Sequence, residues 1–221
     1  VGGIRNKRTY ADWANAQFEM NGPYQPDYIP NDDNKYILTP AEKEMPRINS
    51  AKIFGATPGH PFLYTIASTG IRPMEFSAEN LPQGLTLDSQ TGIISGTVSV
   101  KGTYEVTLKA KNRVGEAAQK LIVKIGDTIA LTPPIGWNGW NAWERKIDRQ
   151  KVIEAANAMV STGLRNHGWT YINIDDAWQG QRAGAFNAIQ PNEKFPKFKQ
   201  MTDYIHSLGL KVGIYSTPMI T

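Results

Sequence analysis

The tryptophans and an adjacent pair of carboxylates are the residues of this chain best suited to chemistry. Trp137, Trp140 and Trp143 fall in one short stretch, Asp175 and Asp176 stand side by side, and Tyr215 follows near the end. An indole offers a flat apolar surface to the C–H face of a pyranose, and a carboxylate accepts hydrogen bonds from sugar hydroxyls. Tryptophan with paired aspartate is what a hexose site needs. A phosphate or nucleotide site would want a Gly-rich loop at a helix N-terminus, and no such pattern is present. The same residues also have plainer uses: clustered tryptophans fill cores and loops, adjacent aspartates start turns or cap helices, and a strand-ending tyrosine packs. His60, His167 and His206 are isolated, without ligand spacing, and the last two sit near helix ends as structural residues. With no cysteine in the chain, thiolate metal sites, thiol nucleophiles and disulfides drop out together.

Two kinds of element must position these residues. From Arg47 to about Gly126 the apolar period is two: Tyr104, Val106, Leu108 and Ala110 face one side, and Glu105, Thr107, Lys109 and Lys111 the other. Similar short strands fit Phe62 to Ile66, Met74 to Ala78, Gly92 to Thr97 and Leu121 to Ile125, punctuated by Gly- and Pro-rich turns. This predicts a β-sandwich over 47–126. After Asp127 strand and helix alternate. Strands are expected over Ile135 to Trp140, Thr170 to Asp175 and Lys211 to Ser216. Helices are expected over Asp148 to Gly163, with Val152, Ala155, Ala156, Met159 and Val160 on one face, and over Phe198 to Leu208, with Met201, Tyr204, Ile205 and Leu208 together. Asp148 is a suitable N-cap, and Gly163 and Gly209 suit helix ends.

In a βαβαβ run of parallel strands the site lies at the carboxyl ends. Those ends read Gly136-Trp137-Asn138-Gly139-Trp140-Asn141, Asn173-Ile174-Asp175-Asp176-Ala177-Trp178 and Tyr215-Ser216-Thr217-Pro218. They converge on one rim. A retaining glycosidase needs two carboxyl groups about 5 Å apart on opposite sides of the scissile bond. Neighbours on a strand point to opposite faces, so Asp175 and Asp176 read as sugar binders rather than as that pair.

Composition bounds the rest. The chain has 221 residues, a formal charge of +4 and ordinary apolar and charged fractions, long enough for one large or two modest domains. Lys and Arg are scattered among Asp and Glu, so no nucleic-acid partner is expected. No apolar run approaches the roughly 18 to 20 residues of a membrane-spanning helix, and the chain reads as soluble. Residues 1–46 read as a linker or the remnant of an upstream region, with a short helix over Tyr10 to Phe18. The start has neither an initiator Met nor a signal core, which leaves sequence upstream open.

Leu81-Pro82-Gln83-Gly84-Leu85-Thr86-Leu87-Asp88, Thr91-Gly92-Ile93-Ile94-Ser95-Gly96-Thr97 and Gly102-Thr103-Tyr104 resemble the immunoglobulin-like domain common in bacterial surface and secreted proteins. Downstream, Thr132-Pro133-Pro134-Ile135-Gly136-Trp137-Asn138-Gly139-Trp140-Asn141, Tyr171-Ile172-Asn173-Ile174-Asp175-Asp176-Ala177-Trp178, Pro191-Asn192-Glu193-Lys194-Phe195-Pro196 and Tyr204-Ile205-His206-Ser207-Leu208-Gly209-Leu210-Lys211-Val212-Gly213-Ile214-Tyr215-Ser216 are similar to the opening of glycoside hydrolase family 27, the α-galactosidases and their relatives. The resemblance implies an immunoglobulin-like sandwich followed by the first βαβαβ part of a (β/α)8 barrel over 127–221. It implies that Trp140 walls the galactose pocket, that Asp175 and Asp176 hold sugar hydroxyls, and that Tyr215 lines the site. It places nucleophile and acid/base on later strands, beyond Thr221, so the parent protein is expected to be active and this chain alone inactive.

The implied reaction is retaining exo-hydrolysis of terminal α-linked galactose from oligo- or polysaccharides, with no metal or cofactor. Family habit implies a secreted, periplasmic or cell-surface location. Two departures stand out: Ala142 and Ala177 occupy positions where many members carry Cys, and Ser216 is followed by Thr217-Pro218-Met219 in place of Ser-Asp-x-Gly. A second reading makes the chain a carbohydrate-binding or surface spacer module acting through its β domain. Three strands leave an open edge and inward apolar faces that need further strands.

Overall fold

The computed structural model describes residues 42–128 and 130–216. The expected helix over Tyr10 to Phe18 and the residues after Ser216 lie outside them. The sandwich is built from β1 (Arg47–Ile48), β2 (Ile53–Ala56), β3 (Pro61–Thr65), β4 (Ser68–Thr69), β5 (Glu75–Glu79), β6 (Leu85–Leu87), β7 (Ile93–Thr97), β8 (Gly102–Lys111) and β9 (Glu116–Ile125). One sheet runs β2-β9-β8-β5 and the other β3-β7-β6, with β1 and β4 paired beside them. Only β2 and β9 pair in parallel; the other sandwich pairings are antiparallel. The period-two pattern of β8 lands as expected. Val106, Leu108 and Ala110 are buried against Phe62, Ile94, Leu121 and Val123, while Lys109 on the outer face pairs with Glu79. Residues 42–46 pack on this sandwich as well: the Asn112 side chain donates to Glu44 O at 2.8 Å.

The second half holds β10 (Gly136–Asn138), α1 (Trp140–Trp143), α2 (Arg149–Ser161), β11 (Tyr171–Ile174), β12 (Gln179–Ala183), β13 (Ala188–Pro191), α3 (Phe198–Ser207) and β14 (Lys211–Ile214). β10, β11 and β14 form one parallel sheet in that order, with Gly136 level with Tyr171 and Tyr171 level with Lys211. Asp148 caps α2 as its sequence suggests, its carboxylate accepting from Lys151 N at 2.9 Å. Val152, Ala156 and Met159 of α2 and Met201 and Ile205 of α3 are buried against Ile172 and Ile174.

Four expectations are corrected. Trp140, expected to end the first strand, opens α1 instead, because Asn138 Oδ1 accepts from Trp140 N at 2.9 Å and turns the chain after the strand. Tyr204, expected on the buried face of α3, is 40% exposed; its hydroxyl donates to Asn157 Oδ1 on α2 at 2.6 Å, a bond the core could not supply. The hairpin β12–β13 interrupts the second strand–helix connection where no strand was expected. Finally, the sheet face away from the helices is not apolar. Residues level across neighbouring strands share a face, so Asn138, Asn173, Lys211 and Tyr215 line it, while Trp137, Ile172, Ile174 and Val212 turn to the helices.

The sandwich sits against the amino ends of these parallel strands. Thr65 Oγ1 donates to Gly209 O at 2.7 Å in a buried bond, and Asn49 Nδ2 to Asn166 O at 2.9 Å. Gly209 ends α3 with φ 73°, a left-handed geometry that favours glycine. Between the two parts lies a cleft of about 290 Å3 whose lining includes Phe54, Tyr64, Tyr171 and Lys211. The Lys211 ammonium lies 4.6 Å from the Phe54 ring centre and 5.1 Å from that of Tyr171. Burial pushes its pKa down from the usual 10.5 to about 8.

Two outcomes are expected at this junction. Replacing Thr65 by Val leaves Gly209 O buried without its donor and should lower stability by about 1 to 3 kcal/mol in urea unfolding. At neutral pH Lys211 is charged in folded and unfolded chains alike, and its burial costs about 3 kcal/mol, partly offset by the two cation–π contacts. Lys211→Met should therefore be the more stable chain at pH 7, by about 1 to 2 kcal/mol. As pH rises from about 8 to 10.5 the folded wild type sheds the proton first, so unfolding takes one up and the wild type gains stability relative to the variant. A stability gap that stays constant across that window would show that the Lys211 charge is not held at a cost.

Candidate active site

The carboxyl ends of β10, β11 and β14 lie at the edge of the sheet opposite the sandwich, and the expected residues gather there. Trp140 is half-buried at the start of α1, Asp175 and Asp176 follow β11 and are half-buried, and Tyr215 follows β14, 43% exposed. The other two tryptophans of the cluster turn elsewhere. Trp137 packs against the helix-side core, and the exposed Trp143 ring carries the Lys151 ammonium of α2 at 5.4 Å. His60, His167 and His206 take no part: His167 Nε2 lies 2.8 Å from Glu42 Oε1, and His206 is in the last turn of α3.

The two aspartates differ in their surroundings. Asp175 Oδ2 accepts from Asn138 Nδ2 at 2.7 Å, and its Oδ1 accepts from Asp176 N at 2.8 Å. Each oxygen keeps a lone pair for a further donor. The Asp176 carboxylate, by contrast, has no hydrogen bond or ion pair among the described residues. No cation pairs with either carboxylate, and no cluster of metal-ligating side chains exists among the described residues. The rim therefore offers hydrogen-bond acceptors on the same strand ends that carry Trp140 and Tyr215, residue types suited to a polyhydroxylated ring.

Three residues with work at this rim were not singled out from the sequence. Asn138 bridges Asp175 and the start of α1. Trp178, buried in the helix-side core, donates from Nε1 to Tyr215 O at 2.7 Å and so ties the loop after β11 to the end of β14. Asn192 donates to Ala177 O at 2.9 Å and accepts from Lys194 N at 3.1 Å, so the Pro191–Pro196 motif reaches back to hold the backbone behind the aspartate pair. Ala177 needs that support, since its φ of 73° is a left-handed value a non-glycine residue adopts at a cost. An Asn two residues ahead of a helical turn or loop amide is a readable signal, because its side chain commonly accepts from that amide.

One face of β14 is opened to make room. At Gly213 any Cβ would run into Asn173 Oδ1, so the amide of Asn173 lies across its neighbour in the layer between Lys211 below and Tyr215 above.

Known proteins resemble this chain in two separate segments. The α-galactosidase A family model matches residues 132–219, and a model described as "Putative Ig domain" matches residues 45–126. The α-galactosidase of Coffea arabica is 44% identical over 94 residues, 42% of this chain and 25% of that protein. An α-galactosidase A of Cellvibrio japonicus is 44% identical over 92 residues, 41% of this chain and 22% of that protein. A Bacteroides fragilis crystal structure described as a "putative alpha-galactosidase" overlays 81% of this chain and 39% of its own at a TM-score of 0.74, with 47% identity. A second from the same organism gives 79%, 38%, 0.73 and 47%. The chain thus spans about a quarter of the length of the curated relatives and about two fifths of the solved ones. Residues 45–126 make an immunoglobulin-like domain, and residues 132–219 are similar to part of the α-galactosidases.

Proposed function

We propose that the whole protein is a retaining exo-glycosidase that removes terminal α-linked galactose from oligo- or polysaccharides. One observation carries this reading: Trp140, Asp175, Asp176 and Tyr215 meet on the carboxyl rim of adjacent parallel strands, within the segment that matches the α-galactosidase A family. In it the Trp140 indole receives the apolar face of the galactose ring and Asp175 and Asp176 accept from its hydroxyls, with Tyr215 completing the wall. Asp175 accepts at its remaining lone pairs from a fixed position; Asp176 has its whole carboxylate to accept with.

Adjacent aspartates joined by a hydrogen bond from one's amide to the other's carboxylate cannot straddle a glycosidic bond. Nucleophile and acid/base belong, in this reading, to later strands of a (β/α)8 barrel that would pair with the open edges of β10 and β14. The chain then divides into an upstream region over 1–46, the sandwich over 47–126 and the opening of the barrel over 127–221. The work is placed outside the cytoplasm, secreted, periplasmic or at the cell surface, in keeping with the immunoglobulin-like domain. A free-standing sugar-binding or spacer role for the sandwich is disfavoured by the buried Thr65–Gly209 bond and the Phe54–Lys211 contact, which commit one end of it to the α/β part.

The whole protein should hydrolyse p-nitrophenyl α-galactoside and leave the β-galactoside and α-glucoside untouched, releasing α-galactose first by proton NMR. Asp175→Asn and Asp176→Asn should each lower kcat/KM by about 10- to 100-fold, the loss of a charge-assisted hydrogen bond to substrate. Release of β-galactose would sink the retaining mechanism, and equal activity on the α-glucoside would sink the choice of sugar.

A further inference from the structure

We propose that Asn138 is a positioning residue of this pocket, one side chain that sets the distance between the aromatic wall and the acidic acceptor. The inference rests on the galactosidase reading of the same rim and adds to it a residue that does not itself need to touch sugar.

The amide is committed at both ends. Trp140 N–H is only a donor, so the group 2.9 Å from it must be the amide oxygen. Asp175 Oδ2, as a carboxylate oxygen, only accepts, so the group 2.7 Å from it must be the amide nitrogen. The two partners fix the orientation of the amide without further assumption. Trp140 begins a four-residue helix with no side-chain cap from the residue before it, so the Asn138 acceptor is what meets its first amide. Asp175 lies past the last hydrogen-bonded residue of β11, where no strand ladder holds it. Both proposed sugar contacts therefore sit outside the strand ladder, one on a four-residue helix and one just past β11, and Asn138, at the last residue of β10, ties both to the sheet.

Few side chains could replace it. Asp keeps the acceptor for Trp140 but has no donor for Asp175; Ser reaches less far; Ala keeps neither. Asn138 is exposed, so replacing it opens no core cavity.

The test is steady-state hydrolysis of p-nitrophenyl α-galactoside by the whole protein and two variants, with folding checked by circular dichroism. Asn138→Ala should raise KM about tenfold or more with kcat changed far less, as expected when interactions made alike in ground and transition state are loosened. The near-isosteric Asn138→Asp separates positioning from folding. It places a second carboxyl against Asp175, and Asp176 beside them adds charge of the same sign; no cation among the described residues pairs with them. At low pH the introduced carboxyl is protonated and donates to Asp175 as the amide does. At higher pH both ionise, repel, and swing apart. The ratio of variant to wild-type KM should stay within about threefold near pH 4 and climb to about tenfold or more by pH 7, a pH signature that a merely structural residue would not give. A KM within twofold of wild type for Asn138→Ala, or a pH-independent ratio for Asn138→Asp, overturns the assignment while leaving an active galactosidase. A wild-type protein inactive on the galactoside takes down both readings together.

Discussion

The parallel register of three short strands is the constraint on which the remainder depends. With Gly136, Tyr171 and Lys211 level, every second residue is committed to one face of the sheet, and neighbouring strands repeat the commitment. Trp137, Ile172, Ile174 and Val212 take the helix side, where α2 and α3 bury them. The opposite face inherits Asn138, Asn173, Asp175 and Tyr215 together. A slip of one residue in β14 would put Val212 among the polar groups and Lys211 into the helix-side core. Hydrophobic burial on one face thus enforces the assembly of polar groups on the other, and no polar interaction at the rim has to be strong enough to hold the sheet in place.

The two ends of that sheet are put to different uses. At the amino ends the sandwich closes in with Phe54, Asn49 and Thr65, and two backbone carbonyls it covers are matched: Gly209 O has Thr65 and Asn166 O has Asn49, while the Lys211 charge is held at a cost that two aromatic faces partly offset. At the carboxyl ends the acceptors of Asp175 and Asp176 are left with capacity to spare. Matched groups stabilise an interface; half-exposed acceptors with spare capacity stay open to water or to a ligand. In parallel α/β folds chemistry collects at the carboxyl ends and stability at the amino ends, and here the immunoglobulin-like domain is added to the end where it obstructs nothing.

What could be read in the sequence was whatever a period or a cap governs. The alternation of β8, the buried stripe of α2, the Asp148 cap and the Gly209 stop each follow from neighbours within a few residues, and they appear close to where the pattern puts them. The clustering of Trp140, Asp175, Asp176 and Tyr215 on one rim was also legible, because strand ends in a parallel sheet are in register by construction. The polar face was not. A strand reading Tyr171-Ile172-Asn173-Ile174 is nearly all apolar, and only its partners reveal that Tyr171 and Asn173 look away from the helices. Nor were Tyr204 or the β12–β13 hairpin, whose places are decided by Asn157 on another helix and by ladder bonds between polar segments with no apolar period.

The residues missed at the rim share a physical trait: each serves backbone rather than substrate. Asn192 bonds the carbonyl of Ala177, Trp178 the carbonyl of Tyr215, and Asn138 the amide of Trp140. Such side chains leave no periodic trace, since their partners are atoms every residue possesses. Their effect is nevertheless directed. The left-handed φ of Ala177 turns the chain sharply behind Asp176. In a chain without cysteine, the turn is held by Asn192 on one side and by the buried Trp178 ring on the other. The strain at Ala177 is therefore carried by a hydrogen bond and a packed indole. Both anchors come from the stretch between β11 and α3, which is why that connection, polar and irregular as it reads, supports the rim rather than merely spacing a strand from a helix.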